Sequence, residues 1–255
     1  MKKRFSWFRA FIPRYISNEK MVFTIYEKMR RNKIPLILDI LTIGKLRNKL
    51  STKAILQHRD ENAAFFHMHP KFYVQGEYIE NQPEWQSVKY GRRKSSMQYS
   101  GCEILAVANA LNSLGAALSA DGLADLIKHF EEDGMCMDGN IGTSPIALRE
   151  YLESRGYSTE YSFTKDVQKI DDMGRRYDTL IVFAYNNKYD IGAMIHTVCI
   201  TKDAGGGFVI HNASRKTADG KYRASKSYPS LSDAICDIGR NQKSRSIMFM
   251  GIKKV

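Results

Sequence analysis

Gln98, Cys102, His196 and Asn212 are the residues of this chain whose types and order suit nucleophilic catalysis. Cys102 opens the run Cys-Glu-Ile-Leu-Ala-Val-Ala-Asn109, which reads as a helix, and Gln98 lies four residues upstream. A helix start gathers unpaired backbone N–H groups and the positive end of the macrodipole. Both favour the thiolate, the reactive form of cysteine. A glutamine amide nearby can donate to the oxyanion formed when sulfur attacks a carbonyl. His196 begins His-Thr-Val-Cys-Ile-Thr, a strand by its β-branched content. A turn at Asp203-Ala-Gly-Gly-Gly207 follows, and the chain returns as Phe208-Val-Ile-His-Asn212. A hairpin closed over residues 203–205 sets His196 opposite Asn212, and such neighbours lie roughly 4.5–5.5 Å apart. The Asn212 amide then reaches one ring nitrogen of His196 and leaves the other for Cys102. His211 is the rival base. Adjacent strand residues face opposite sides of a sheet, so with Asn212 in the cleft His211 belongs outside.

On these residues the sequence resembles the papain-like cysteine peptidases, and within them the bacterial peptidases that trim double-glycine leader peptides. The resemblance covers roughly residues 95–255 and includes the helix Thr143-Ser-Pro-Ile-Ala-Leu-Arg-Glu-Tyr-Leu-Glu-Ser-Arg-Gly-Tyr157. It implies Cys102 as nucleophile, His196 as general base and acid, Asn212 as the residue that holds the ring, and Gln98 in the oxyanion hole. A peptide or protein substrate and no cofactor or metal are implied with it. Where many relatives carry Gly-Pro directly after the cysteine, this chain has Glu103-Ile104. Acyl transfer or deamidation would need only a different second nucleophile or substrate, and fold resemblance does not choose among them.

The elements that must position these residues follow from pattern and caps. The Cys102 helix runs to about Leu114 and stops at Gly115. A second helix starts near Ser119 and ends around Glu132, and Thr143 or Ser144 caps a third at Pro145. A strand at 158–163, a helix at 165–176, a strand at Thr179–Tyr185, the hairpin, a short helix at 231–239 and a last strand at Ser246–Lys253 complete the order. Helices first and an antiparallel sheet afterwards indicate α+β architecture with the cleft between two layers. Upstream, Asn18–Arg30 and Ile37–Leu50 read as helices, and the aromatic text of residues 64–80 as strand-like. Cys136 falls in a Met-rich loop and Cys199 inside a strand, neither with a matching histidine. Glu131-Glu132 and Asp171-Asp172 read as solvated helix ends.

Charge divides the chain. Residues 1–94 hold 20 Lys or Arg against 8 acidic residues, and the remainder holds 19 of each. This shift predicts a basic, mainly helical N-terminal extension over 1–90 and a papain-like domain over 91–255. Aromatic residues among the basic ones (Phe5, Trp7, Phe8, Phe11, Tyr15) suit an anionic membrane surface, and the charge suits nucleic acid or an acidic partner. A pro-segment or lid is the other reading of this region, and a catalytically idle binding module is the other reading of the whole. At 255 residues and 43% hydrophobic, the chain has material for a sizeable core. Four cysteines without paired spacing suit a reducing compartment. Arg9 and Arg14 interrupt what would be a signal-peptide apolar stretch, so a cytoplasmic location is expected. His67-Met-His69 lacks the carboxylates or cysteines of a metal site, and Gly205–Gly207 lacks the helix of a phosphate loop.

Overall fold

The computed structural model describes residues 19–33, 40, 47–92, 96–185, 195–238 and 245–255. The first helix, α1 (Glu19–Arg30), is followed by α2 (Thr52–Met68), whose N-cap Ser51 accepts from the Ala54 N–H at 3.2 Å. A 3-10 turn at Gln82–Ser87 and the one-turn helix α3 (Met97–Ser100) lead into α4 (Cys102–Ser113). Next come α5 (Ala120–Asp133), which Ser119 caps by accepting from the Gly122 N–H, and α6 (Pro145–Ser154), which starts at Pro145 after Ser144, whose hydroxyl donates to Glu27. The strand β1 (Tyr157–Ser162) precedes α7 (Val167–Arg176), which Asp166 caps by accepting from the N–H groups of Gln168 and Lys169. Strands β2 (Thr179–Tyr185), β3 (Ile195–Lys202) and β4 (Phe208–His211) are followed by the two-residue strands β5 (Arg215–Lys216) and β6 (Tyr222–Arg223). Helix α8 (Leu231–Ile238) and β7 (Arg245–Lys254) end the chain.

The fold is α+β with a five-stranded antiparallel sheet in the order β1-β7-β2-β3-β4. Both faces are covered. Ile181, Phe183, Cys199, Met248 and Met250 face α4, while Leu180, Val182, Val198, Ile200 and Phe249 face α7 and α8. The alternation along each strand is the two-residue period of the pleat. Helix α4 is apolar nearly all round, and Ile104 through Leu111 are buried, as a central helix must be.

The core crosses residue 90 without a break. Phe23, Ala63, Phe66, Ile79, Trp85, Val88 and Tyr90 join α4, α5 and α6 in one cluster. Arg30 is sealed at 3% side-chain exposure and clamps α1 to the helical layer through Asp133 at 2.8 Å and Glu150 at 2.6 Å. The strand-like reading of residues 64–80 is corrected: α2 runs through Met68, and no strand forms between it and Asn81. Phe66 there is buried as Ile55 and Asn62 are, at helical spacing, on the stripe that meets α5. Glu131 is also not a solvated helix end; its carboxylate accepts from the Gly91 N–H at 2.7 Å and pairs with His58 at 2.8 Å. The Ile37–Leu50 helix falls mostly outside the described residues, and the aromatic residues at 5–15 do so entirely. Among the described residues no helix is long and apolar enough to cross a membrane.

Candidate functional site

Cys102 is the first residue of α4, directly after Gly101, where a Cβ would meet the Met97 carbonyl at 2.5 Å. Its sulfur is buried and donates to Glu103 Oε2 at 3.3 Å. It also lies 3.9 Å from the Ile195 carbonyl and next to Thr197, whose buried hydroxyl makes no hydrogen bond. The pairing of β4 with β3 ends at Cys199 opposite His211, so residues 195–197 have no strand on that side among the described residues. The sulfur fills this gap. Cys102 therefore rests on the two residues that flank His196.

No hydrogen bond joins the thiol to the imidazole in this arrangement. His196 has the parity of Val198 and Ile200, which face α7 and α8, whereas Cys102 approaches from the α4 side. His196 Nε2 instead donates to the backbone carbonyl of Asn212 at 2.7 Å. A carbonyl can only accept, so this bond puts the proton on Nε2 and leaves the lone pair on Nδ1. Burial holds the imidazole below its ordinary pKa, opposed by that hydrogen bond. The ring is neutral at neutral pH.

The expected register of the hairpin differs from the structure. Ile200 pairs with Ile210 and Cys199 with His211, so the loop spans Asp203–Gly207 and His196 has no direct partner on β4. Asp203 widens the turn by accepting from the N–H groups of Gly205 and Gly207 at 2.9 and 3.0 Å. Asn212 lies just past the strand with φ +59, and this left-handed step swings its carbonyl, not its amide, onto His196. The amide Nδ2 donates to Gln82 Oε1 at 2.7 Å. His211 is not outside. It is 4% exposed, with Nδ1 on Glu80 Oε1 at 2.7 Å, Nε2 on the Thr201 hydroxyl at 2.9 Å, and its ring stacked on Tyr78 at 3.7 Å.

Gln98 is exposed, and its amide donates to the Pro83 carbonyl at 2.5 Å, so it is committed away from the sulfur. Within that neighbourhood Gln82 is the buried glutamine, donating to the carbonyls of Met97 at 3.1 Å and Gln98 at 3.3 Å. Neither Gln82 nor Glu80 is legible in the sequence, because each meets Asn212 across about 130 residues, Gln82 at its side chain and Glu80 at its backbone N–H.

The thiol is not poised as the helix start alone suggests. Burial first, then the Glu103 charge, push the Cys102 thiol well above its ordinary pKa, and Thr197 beside it only partly offsets this. Glu103 is itself 3% exposed, and burial raises its carboxyl from 4.5 to about 7 against hydrogen bonds from its own N–H and from Thr143. Gly142, at φ +82, makes room for it: a Cβ there would stand 2.8 Å from both carboxyl oxygens. Cys136, by contrast with an exposed loop thiol, is fully buried against the Tyr26 carbonyl. A scan of protein-family models returns no match for this chain, and a search of curated proteins returns none either.

Proposed function

We propose that the protein is a papain-like cysteine hydrolase that cleaves a peptide or related amide bond through an acyl-cysteine intermediate. The observation that carries the reading is the seat of the Cys102 sulfur against Ile195 and Thr197, on either side of a His196 whose proton is fixed on Nε2. The reaction requires Cys102 to turn about Cα–Cβ, away from Glu103, and the His196 ring to swing toward the α4 side, so that the thiol meets the Nδ1 lone pair. His196 then takes the thiol proton, and the sulfur attacks the carbonyl carbon. First-turn N–H groups of α4 stabilise the oxyanion. The imidazolium returns its proton to the leaving amine, and a water activated by Nδ1 releases the acyl group. Gln98 joins the oxyanion site only by giving up Pro83. Resemblance to the double-glycine leader peptidases makes a peptide or protein the substrate class. The test is a proteome-derived peptide library read by mass spectrometry. Wild type should generate new termini that Cys102→Ser does not; equal product from both ends the reading.

A second reading is favoured by the protonated, carboxylate-bonded state of the resting thiol. In it the site is idle and the fold is a binding module whose basic N-terminal region engages nucleic acid, an anionic membrane or an acidic partner. Failure of a thiol-directed peptidase probe to label Cys102, with retention on DNA or anionic vesicles that weakens steeply with salt, would support it. Probe labelling lost in Cys102→Ala would exclude an idle site.

A further inference from the structure

We propose that Glu80 is a positioning residue for His196, acting through the backbone of Asn212. The inference deepens the hydrolase reading and rests on it for its catalytic consequence, though not for its geometry. The Glu80 carboxylate uses one oxygen for each of two successive residues: Oε1 accepts from His211 Nδ1 at 2.7 Å, and Oε2 from the Asn212 N–H at 2.6 Å. Between them these bonds fix the left-handed step at Asn212, φ +59, for which a non-glycine residue needs support from its surroundings. The carbonyl of that same residue is the acceptor that sets the His196 tautomer. Glu80 thus controls, at one remove, which ring nitrogen is free to act as base.

Glu80 is itself held on both sides. Asn109, buried in α4, accepts from the Ile79 N–H at 2.8 Å and donates to the Ile79 carbonyl at 3.0 Å, a side-chain mimic of strand pairing. Tyr78 stacks on His211, and the Thr201 hydroxyl pins the far nitrogen of that ring. Gln82 ties the Asn212 side chain to the carbonyls of Met97 and Gln98, just upstream of Cys102. Residues 78–82 therefore strap the His196 end of the site to the Cys102 helix.

Glu80→Gln loses one of the two bonds unless the His211 ring changes tautomer to receive the NH2, and Glu80→Ala loses both. The test is long-range proton–nitrogen NMR of the histidine rings in the full-length protein at neutral pH, with peptide hydrolysis measured alongside. Wild type should show His196 as the Nε2–H form, and Glu80→Ala a mixture with the Nδ1–H form. The kcat should fall on the order of 10²-fold, with KM little changed, because the base is misplaced and the binding surface is not. Asn212→Gly removes the amide but keeps the N–H, the carbonyl and the positive φ, so it should retain the Nε2–H form. An unchanged His196 tautomer in folded Glu80→Ala overturns the proposal. Loss of the Nε2–H form in Asn212→Gly also overturns it, and decides the matter should Glu80→Ala fail to fold. A tautomer shift in a protein whose wild type never hydrolyses peptides leaves the positioning role standing and removes the hydrolase reading alone.

Discussion

Glu103→Gln separates the two things the buried carboxyl does, destabilising the fold and holding the Cys102 thiol protonated. Its carboxyl is raised from 4.5 to about 7 by burial. A folded-state pKa above the unfolded value means that the folded chain binds the proton more tightly. Stability associated with this group is therefore complete below about pH 4.5 and is lost as pH rises through 7. The loss at pH 8 is about 3 kcal/mol. Glutamine has no charge to bury; its amide oxygen can keep a backbone N–H and its NH2 can face the sulfur. At pH 4.5 the two proteins should melt close together. At pH 8 the variant should melt higher, by up to about 6–12 °C for a chain of this size. Thermal unfolding across pH 4.5 to 8 measures the difference, in which groups common to both proteins cancel. Removal of the carboxylate charge should also lower the Cys102 thiol pKa and speed its alkylation by iodoacetamide at pH 8. Parallel melting curves across the pH range would refute the argument, since they would mean that the carboxyl is not sealed as described.

Further expectations follow from the same geometry. In the wild type, peptide-resolved alkylation at pH 6 should modify exposed Cys236 faster than buried Cys102; the reverse order would reveal a resting thiolate paired with the imidazole. Arg30→Ala should cost about 3 kcal/mol in chemical denaturation, because Glu27, Asp133 and Glu150 lose a shared buried cation; an unchanged midpoint would count against that clamp. Trp85→Ala should cost about 3–5 kcal/mol, since the ring is fully buried against Phe66 and Phe72. A fragment of residues 91–255 should lack a cooperative unfolding transition, having lost seven buried apolar side chains of the core from Phe23 to Tyr90. A sharp calorimetric transition in that fragment would mean that the sheet and its helices suffice.

The parts of this molecule written in local chemistry were legible from its text. Ser119 and Ser144 with Pro145 mark helix starts, Gly115 with φ +75 marks a stop, and the β-branched run at Thr179–Tyr185 is a strand. The helix start at Cys102 and the strand that carries His196 were legible too, but the hairpin register was not. What stayed hidden depends on partners distant in sequence. Helix α2 carries His58, Arg59 and His67 that pair with α5 and its first turn, so its polar residues masked the buried stripe. Asn212 serves through its carbonyl because of one positive φ, which residue type alone does not reveal. Charge did not describe the packing: the segment before residue 94 carries the basic excess and also sends Phe23, Phe66, Trp85 and Tyr90 into the common core.

The place of β7 in the sheet has a consequence for how the chain is made. Strand β7 comes last in chain order among the described strands, yet it lies between β1 and β2, with β1 pairing to nothing else in the sheet. Until Arg245–Lys254 emerges, Tyr157–Ser162 has no ladder and the apolar faces of β2 have one neighbour instead of two. The sheet therefore cannot close before this strand is made, and contacts that close loops of nearly a hundred residues make its closure slow. Until then a nascent chain of this design exposes unpaired strand edges, the feature that chaperones recognise in incomplete folds.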